Sequence, residues 1–154
     1  MKVLCFLQNQ WFRQPDRVRA ILARNDSTFR RIFIARTLFM GCKTGQMLLK
    51  CWGSNWINHI VFEEASPQVG GKSSSLFPAD AVHMASVIEE VEPRLIVALG
   101  GIAIDGIRKV ETKIRVIKGP HPAARDSGMV INRLGEILTE LNLYLWLTTG
   151  DSWK

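Results

Sequence analysis

The segment best suited to chemistry in this 154-residue sequence is 119–125, which reads Gly-Pro-His-Pro-Ala-Ala-Arg. Its histidine, His121, lies between Pro120 and Pro122. Each proline fixes its own φ angle and drives the preceding residue toward an extended conformation, so the imidazole is held on a stiff loop. A histidine fixed in this way is a candidate hydrogen-bond donor to a ligand. The alternative is a rigid turn with an incidental histidine, and these residues alone favour neither.

A second set of candidate groups follows the first predicted strand. Residues 2–7 are mostly apolar and predict a buried strand, and the amides of Gln8 and Asn9 come directly after it. Open α/β sheets bind ligands at the carboxyl ends of their strands, so we expect these amides to border a ligand site. Trp11 and Phe12 come next, and they are equally compatible with binding a flat ligand and with packing in the core.

The elements that must position these groups alternate along the chain. The predicted strands cover residues 2–7, 58–62, 95–99 and 113–117. The predicted helices cover residues 15–23, 33–40, 45–52, 78–91, 102–108 and 127–141. This alternation predicts an α/β fold with three layers, α/β/α, around a central, mostly parallel four-stranded sheet. We expect one domain over residues 1–154, in which the loops 8–12, 62–67 and 120–125 meet at one edge of the sheet.

The positive charge of the chain is concentrated in its first part. The net charge is +6, and residues 1–62 carry 10 Lys and Arg against only Asp16 and Asp26. A polyanion such as DNA is the natural partner of such a surface. A solvated basic face without a partner is about equally compatible with the composition.

Several classes of protein are disfavoured by the sequence. There is no run of 18 apolar residues, which excludes an ordinary membrane helix, and the apolar start is too short for a signal peptide. We therefore expect a soluble, cytoplasmic protein, associated with the nucleoid if its source is bacterial or viral. Three cysteines without C-x-x-C spacing support neither a disulfide framework nor a zinc or iron–sulfur site, so we expect no metal and no cofactor. The Gly-Lys-Ser at 71–73 lacks the first glycine of a phosphate-binding loop and the helix that should follow it.

Taken together, these motifs resemble those of the uracil-DNA glycosylase superfamily. The segment 7–11, Leu-Gln-Asn-Gln-Trp, is similar to the Gly-Ile-Asn-Pro-Gly of the mismatch-specific branch, with Asn9 at the position of the catalytic Asn. His121-Pro122-Ala123 resembles the His-Pro-Ser or Asn-Pro-Ser motif after the fourth strand. The segment 93–100 looks like the Pro-x-hydrophobic-Leu-Gly strand of the family. The resemblance covers most of the chain.

The sequence also departs from the family pattern. Leu7 and Gln10 replace the usual Gly and Pro of the first motif, and the Asp that activates water in the most active branch is absent from it. Ala123 replaces the Ser of the last motif, and the four cysteines of the iron–sulfur branches are missing. These departures leave a divergent enzyme or an inactive relative.

The resemblance implies roles for individual residues. It implies that His121 donates to the carbonyl oxygen of a departing base and that Asn9 holds the attacking water. The expected substrate-binding residues are Gln8, Trp11, Phe12, Phe62 and Glu64, and the expected DNA-binding residues are Lys72, Lys118, Pro122 and Arg125. A carboxylate at Glu64 would suit the amino group of cytosine better than the carbonyl of uracil, whereas the alternative is an ordinary surface glutamate.

The resemblance implies a monofunctional DNA glycosylase. Such an enzyme would act as a monomer, without a cofactor, on uracil or another modified pyrimidine, including modified cytosine, flipped out of DNA. Hydrolysis of the N-glycosidic bond would leave an abasic site, in DNA repair or in antiviral defence. Two alternatives stay open at this point: a non-catalytic DNA-binding relative of the same fold, and a small α/β nucleotide-processing enzyme.

Overall fold

The computed structural model describes residues 2–72 and 74–149, except for the side chains of residues 148 and 149. The described residues form four strands: β1 (Val3–Leu7), β2 (Ile60–Glu64), β3 (Leu95–Leu99) and β4 (Arg115–Gly119). They also form six helices: α1 (Pro15–Ala23), α2 (Ser27–Phe39), α3 (Lys43–Ile57), α4 (Ala81–Val91), α5 (Gly101–Arg108) and α6 (Ser127–Thr149). All strands are parallel, in the order β2-β1-β3-β4.

The core has two halves, one on each face of the sheet, because side chains alternate along each strand. On one face, strand residues such as Cys5 and Val97 pack with α2, α3 and α6. On the other face, residues such as Leu4 and Ile96 pack with α4 and α5. Strands covered on both faces must be apolar throughout, and β3 is accordingly buried at every position. The predicted α/β class and its three α/β/α layers are confirmed.

The first half of the chain contains more helix than the sequence predicted. Helix α2 begins at Ser27 rather than at residue 33, and its N-cap is Asp26, whose carboxylate accepts a hydrogen bond from the Phe29 amide. Four of its first six residues are polar or charged, which weakened the apolar pattern. Helix α3 is capped by the sulfur of Cys42 and not by Thr44, and it extends to Ile57 past a break at Gly53.

Strands β2 and β4 each begin and end two residues later than predicted. Strand β2 ends with two adjacent, buried acidic residues, Glu63 and Glu64. Charged residues rarely lie inside a sheet, so hydrophobicity alone places the end of this strand at Phe62. The shift makes Phe62 an interior strand residue and places Glu64 at the carboxyl end of β2.

The ends of two later helices also differ from the prediction. Helix α4 begins at Ala81, where Asp80 caps it by accepting from the His83 amide, rather than at Pro78. Helix α6 continues past the predicted end at Leu141 to Thr149. Among the described residues, no helix is both long and apolar enough to cross a membrane.

Candidate active site

A cavity of about 450 Å³ opens at the carboxyl edge of the sheet. Leu7, the last residue of β1, and residues 8–12 after it form one wall, and Glu64 comes from the end of β2. The end of α2, the start of α3, residues 75 and 76, and the loop after β4 complete the lining. The cavity therefore lies where parallel α/β sheets bind ligands, and it is large enough for a pyrimidine nucleotide.

His121 lines this cavity, and its side chain is half-buried. A backbone amide of the same loop determines which ring nitrogen carries the hydrogen. The backbone amide of Ala123 donates to Nδ1 of the imidazole at 3.1 Å. Nδ1 is therefore an acceptor, and in the neutral ring the hydrogen is on Nε2. Burial, with a smaller contribution from the positive charge of Lys43, lowers the pKa of His121 to about 4. At neutral pH this histidine is an uncharged donor through Nε2.

Two glycines allow the loop of His121 to pack closely on the sheet. Gly100, at the end of β3, has a φ of 97°, and its amide donates to the carbonyl of Gly119 at 2.8 Å. A Cβ at Gly100 would lie 3.0 Å from the Cβ of His121. A Cβ at Gly119 would lie 2.5 Å from the side chain of Ile137 on α6. The position of the imidazole thus depends on small residues at the ends of β3 and β4.

Asn9 also lines the cavity, and its side chain is tied to the segment 75–77. Its Nδ2 donates to the carbonyl oxygens of Ser75 at 2.9 Å and of Gln10 at 3.1 Å. Its Oδ1 accepts from the amide of Phe77 at 3.3 Å. Since an amide oxygen has two acceptor sites, Oδ1 retains one for a water molecule.

The two acidic residues that end β2 are in different protonation states. Burial raises the pKa of Glu63, but hydrogen bonding to His83, the charge of Arg30 at 3.1 Å and the amide of Glu64 outweigh it and lower the pKa below its usual value. Glu64 is buried, and this burial, followed by the charge of Glu63, raises its pKa to about 8 against a smaller opposing effect of Arg30. Glu63 is therefore ionised at neutral pH, whereas Glu64 largely keeps its proton.

The other predicted site residues divide between the cavity and the rest of the molecule. Gln8, Trp11 and Phe12 line the cavity. Phe62 does not: it is 2% exposed and packs against Phe39 in the core, with ring centroids 5.4 Å apart. Of the predicted DNA-binding residues, Lys72, Lys118 and Arg125 are exposed outside the cavity lining and Pro122 is buried.

The cavity also includes residues that the sequence did not single out. Thr37 comes from α2, Cys42 and Lys43 from the start of α3, and Leu76 from the loop before α4. The packing of α2 on β2, and of α3 on α2 and α6, brings Thr37, Cys42 and Lys43 to the strand ends, so no local pattern could have identified them. Lys43, at the first position of α3, places a cation beside His121.

Within the described parts of the chain, no three His, Cys, Asp or Glu side chains are grouped as a metal site requires. Comparisons of the chain with protein-family models, curated proteins and solved structures gave no significant match. Membership of the uracil-DNA glycosylase superfamily thus stays a prediction that rests on the motifs themselves.

Proposed function

We propose that this protein is a monofunctional DNA glycosylase that hydrolyses the N-glycosidic bond of a modified pyrimidine. The observation that carries the proposal is the presence of Asn9 and His121, 112 positions apart in sequence, in the lining of one cavity at the carboxyl edge of the sheet. The uneven positive charge of the chain supports DNA as the partner. We expect the protein to act on DNA as a monomer inside the cell.

The state of His121 suits the departure of a base. As the bond between C1′ and N1 breaks, its electron pair moves into the base and increases the negative charge on O2. A neutral imidazole that donates through Nε2 stabilises this charge without giving up a proton. The amide of Ala123 on Nδ1 fixes the ring in the required tautomer. One such donor contributes about 3 kcal/mol in other enzymes, or a factor of about 100 in rate.

Asn9 suits the placement of water. Its Oδ1 accepts from Phe77 and can also accept from a water molecule that attacks C1′. An amide is too weak a base to remove the proton of this water early in the reaction. The proton therefore leaves for the solvent after the bond to C1′ has formed, and we expect slow turnover.

The test is base release from labelled DNA. Oligonucleotides carrying uracil, mismatched thymine, 5-hydroxymethyluracil, cytosine or 5-hydroxymethylcytosine, as single and double strands, are incubated with the protein and treated with alkali to reveal abasic sites. We expect one class of base to be released, about 100-fold more slowly by His121→Ala and more slowly by Asn9→Ala. The matched control is His59→Ala, at an exposed histidine outside the cavity lining. Release that survives both cavity substitutions would contradict the assignment.

A second candidate function is base binding without cleavage. It is favoured by the three hydrogen bonds that the side chain of Asn9 makes within the protein, because they give this side chain a structural role that does not require catalysis. In that case the same oligonucleotides would bind without base release, and His121→Ala would weaken binding only. Activity on free nucleotides but not on DNA would instead indicate a nucleotide-processing enzyme.

A further inference from the structure

Glu64 is a buried acid in the wall of the cavity with an unused hydrogen-bonding atom. It is 4% exposed, and its Oε2 has no hydrogen-bond partner among the described residues. Glu64 lies on the same face of β2 as Phe62, the face covered by α2 and α3, and the cavity opens on that side. A buried polar atom without a partner is costly, so a ligand in the cavity that hydrogen-bonds to Glu64 would be favoured because it removes this cost.

The surroundings of Glu64 keep its carboxyl group neutral. Burial and the adjacent charge of Glu63 oppose ionisation, and they outweigh the attraction of Arg30. The titratable and charged groups around it are Cys5 on β1, Glu63 on β2, Arg30 on α2, Lys43 on α3, His83 on α4 and His121 after β4. A neutral carboxylic acid offers one donor and one acceptor side by side, which a carboxylate does not.

We propose that Glu64 is the general acid of this site and that it selects bases with the Watson–Crick edge of cytosine. Its O–H donates to N3 of the ring, and its other oxygen accepts from the 4-amino group. His121, which follows β4 at the other side of the sheet from β2, donates to O2. This inference rests on the proposed glycosylase function and names the substrate class of the same cavity.

Cytosine and uracil differ in whether N3 of the ring carries a hydrogen. Uracil already carries a hydrogen on N3 and leaves as an anion that a neutral donor can stabilise. Cytosine carries negative charge less well and leaves readily only when N3 is protonated. An amide in place of Glu64 would bind uracil equally well without the cost of burying a titratable acid. A transferable proton is an advantage only for a base that needs one in order to leave.

Protonation of N3 accompanies cleavage of the glycosidic bond. The bond between C1′ and N1 breaks, and its electron pair stays with the base. The O–H bond of Glu64 breaks as the N3–H bond forms, so the base leaves uncharged. A water molecule adds to C1′ and loses a proton to the solvent, and the solvent returns a proton to Glu64. The sum is hydrolysis of the nucleotide to a free cytosine-type base and an abasic site.

The experiment compares wild type with Glu64→Gln on duplexes that carry cytosine, 5-methylcytosine, 5-hydroxymethylcytosine, uracil or 5-hydroxymethyluracil, from pH 6 to about pH 10. Glutamine keeps a donor and an acceptor but has no acidic proton. We expect wild type to release one of the cytosine-type bases, with a rate that falls tenfold per pH unit above about pH 8. We expect Glu64→Gln to bind the same duplex but to release the base at least about 100-fold more slowly. Its rate should also lack the decline at high pH. The control is Glu89→Gln, at an exposed glutamate on α4.

The outcomes separate this inference from the proposed function. Release of uracil-type bases but not of cytosine-type bases would overturn the role of Glu64 and leave a glycosylase. Release of a cytosine-type base at the wild-type rate by Glu64→Gln would do the same. If the protein is shown to be folded by circular dichroism and releases no base, the inference and the proposed function are both overturned.

Discussion

At the residue scale, one backbone hydrogen bond determines where His121 carries its proton. The Ala123 amide occupies Nδ1, and burial keeps the ring uncharged well below neutral pH. Protonation of Nδ1 would break this hydrogen bond and place two donors against each other. The loop 121–123 therefore defines both the tautomer and the charge of the imidazole.

We expect nitrogen NMR to detect this state directly. At pH 7 the Nε2 of His121 should carry the hydrogen, and the ring should titrate near pH 4. Lys43→Met should raise this pKa without restoring the ordinary value, because burial is the larger cause and remains in place. His121→Gln assigns the signal. A hydrogen on Nδ1 at pH 7 would contradict the tautomer on which the proposed mechanism depends.

Asn9 is expected to have a structural effect that is separable from catalysis. Asn9→Ala removes the acceptor of the Phe77 amide and the donor to Ser75, so hydrogen exchange at Phe77 should accelerate. Gln8→Ala is the matched control, since it shortens the neighbouring cavity amide and leaves the contacts of Asn9 with residues 75–77 in place. Equal exchange in both variants would show that Asn9 does not hold this segment.

At the element scale, the site depends on the turns that follow the strands. Gly100 is required at the end of β3 because its φ is positive and because the loop of His121 packs directly on it. A side chain at this position would strain the backbone and push against His121 at the same time.

Gly100→Ala should therefore lower the free energy of unfolding by about 1–3 kcal/mol, and it should also reduce any activity that requires His121. The adjacent Gly101→Ala is the matched control, because a Cβ there meets no atom within 4 Å and Gly101 is the first residue of α5. Urea unfolding measures both variants. A Gly100→Ala protein as stable as Gly101→Ala would rule out this packing constraint.

The sequence predicted the elements better than it predicted their ends. Apolar runs identified all four strands, and the strand order in sequence was enough to expect Asn9 and His121 at one edge of a parallel sheet. The predicted end of β2 was wrong because two glutamates are buried there. Glu63 is paired with Arg30 and His83, and Glu64 is kept neutral. Contacts between residues that are distant in sequence are not visible in a local sequence pattern. For the same reason, the sequence did not predict that Lys43 lines the cavity.

At the scale of the whole molecule, Glu64 links the stability of the fold to pH. Its pKa is about 8 in the folded chain, compared with about 4.5 for an unperturbed glutamate. Between these values the unfolded chain has lost the proton that the folded chain retains, so a rise in pH favours unfolding. Below about pH 4.5 both states are protonated and above about pH 8 both are ionised, so the effect is confined to this window.

Glu64→Gln should remove this dependence. Relative to wild type, its free energy of unfolding should increase with pH from about 4.5 to about 8, by at most about 1.4 kcal/mol per pH unit, and should then level off. Denaturant titrations at several pH values measure the difference, with Glu89→Gln as the control. A constant difference across the window would mean that Glu64 ionises normally in the folded protein.

The parallel sheet also gives the molecule a front and a back. All four parallel strands end on the side of the sheet where the cavity opens, so all of them begin on the opposite side, where the exposed Lys113 precedes β4. A surface tether attached at Lys113 would hold each molecule by its back, with the cavity facing the solution. Single molecules of DNA, the partner we propose, would then approach from the side that carries Asn9, Glu64 and His121, which makes the orientation of the fold a practical basis for single-molecule work.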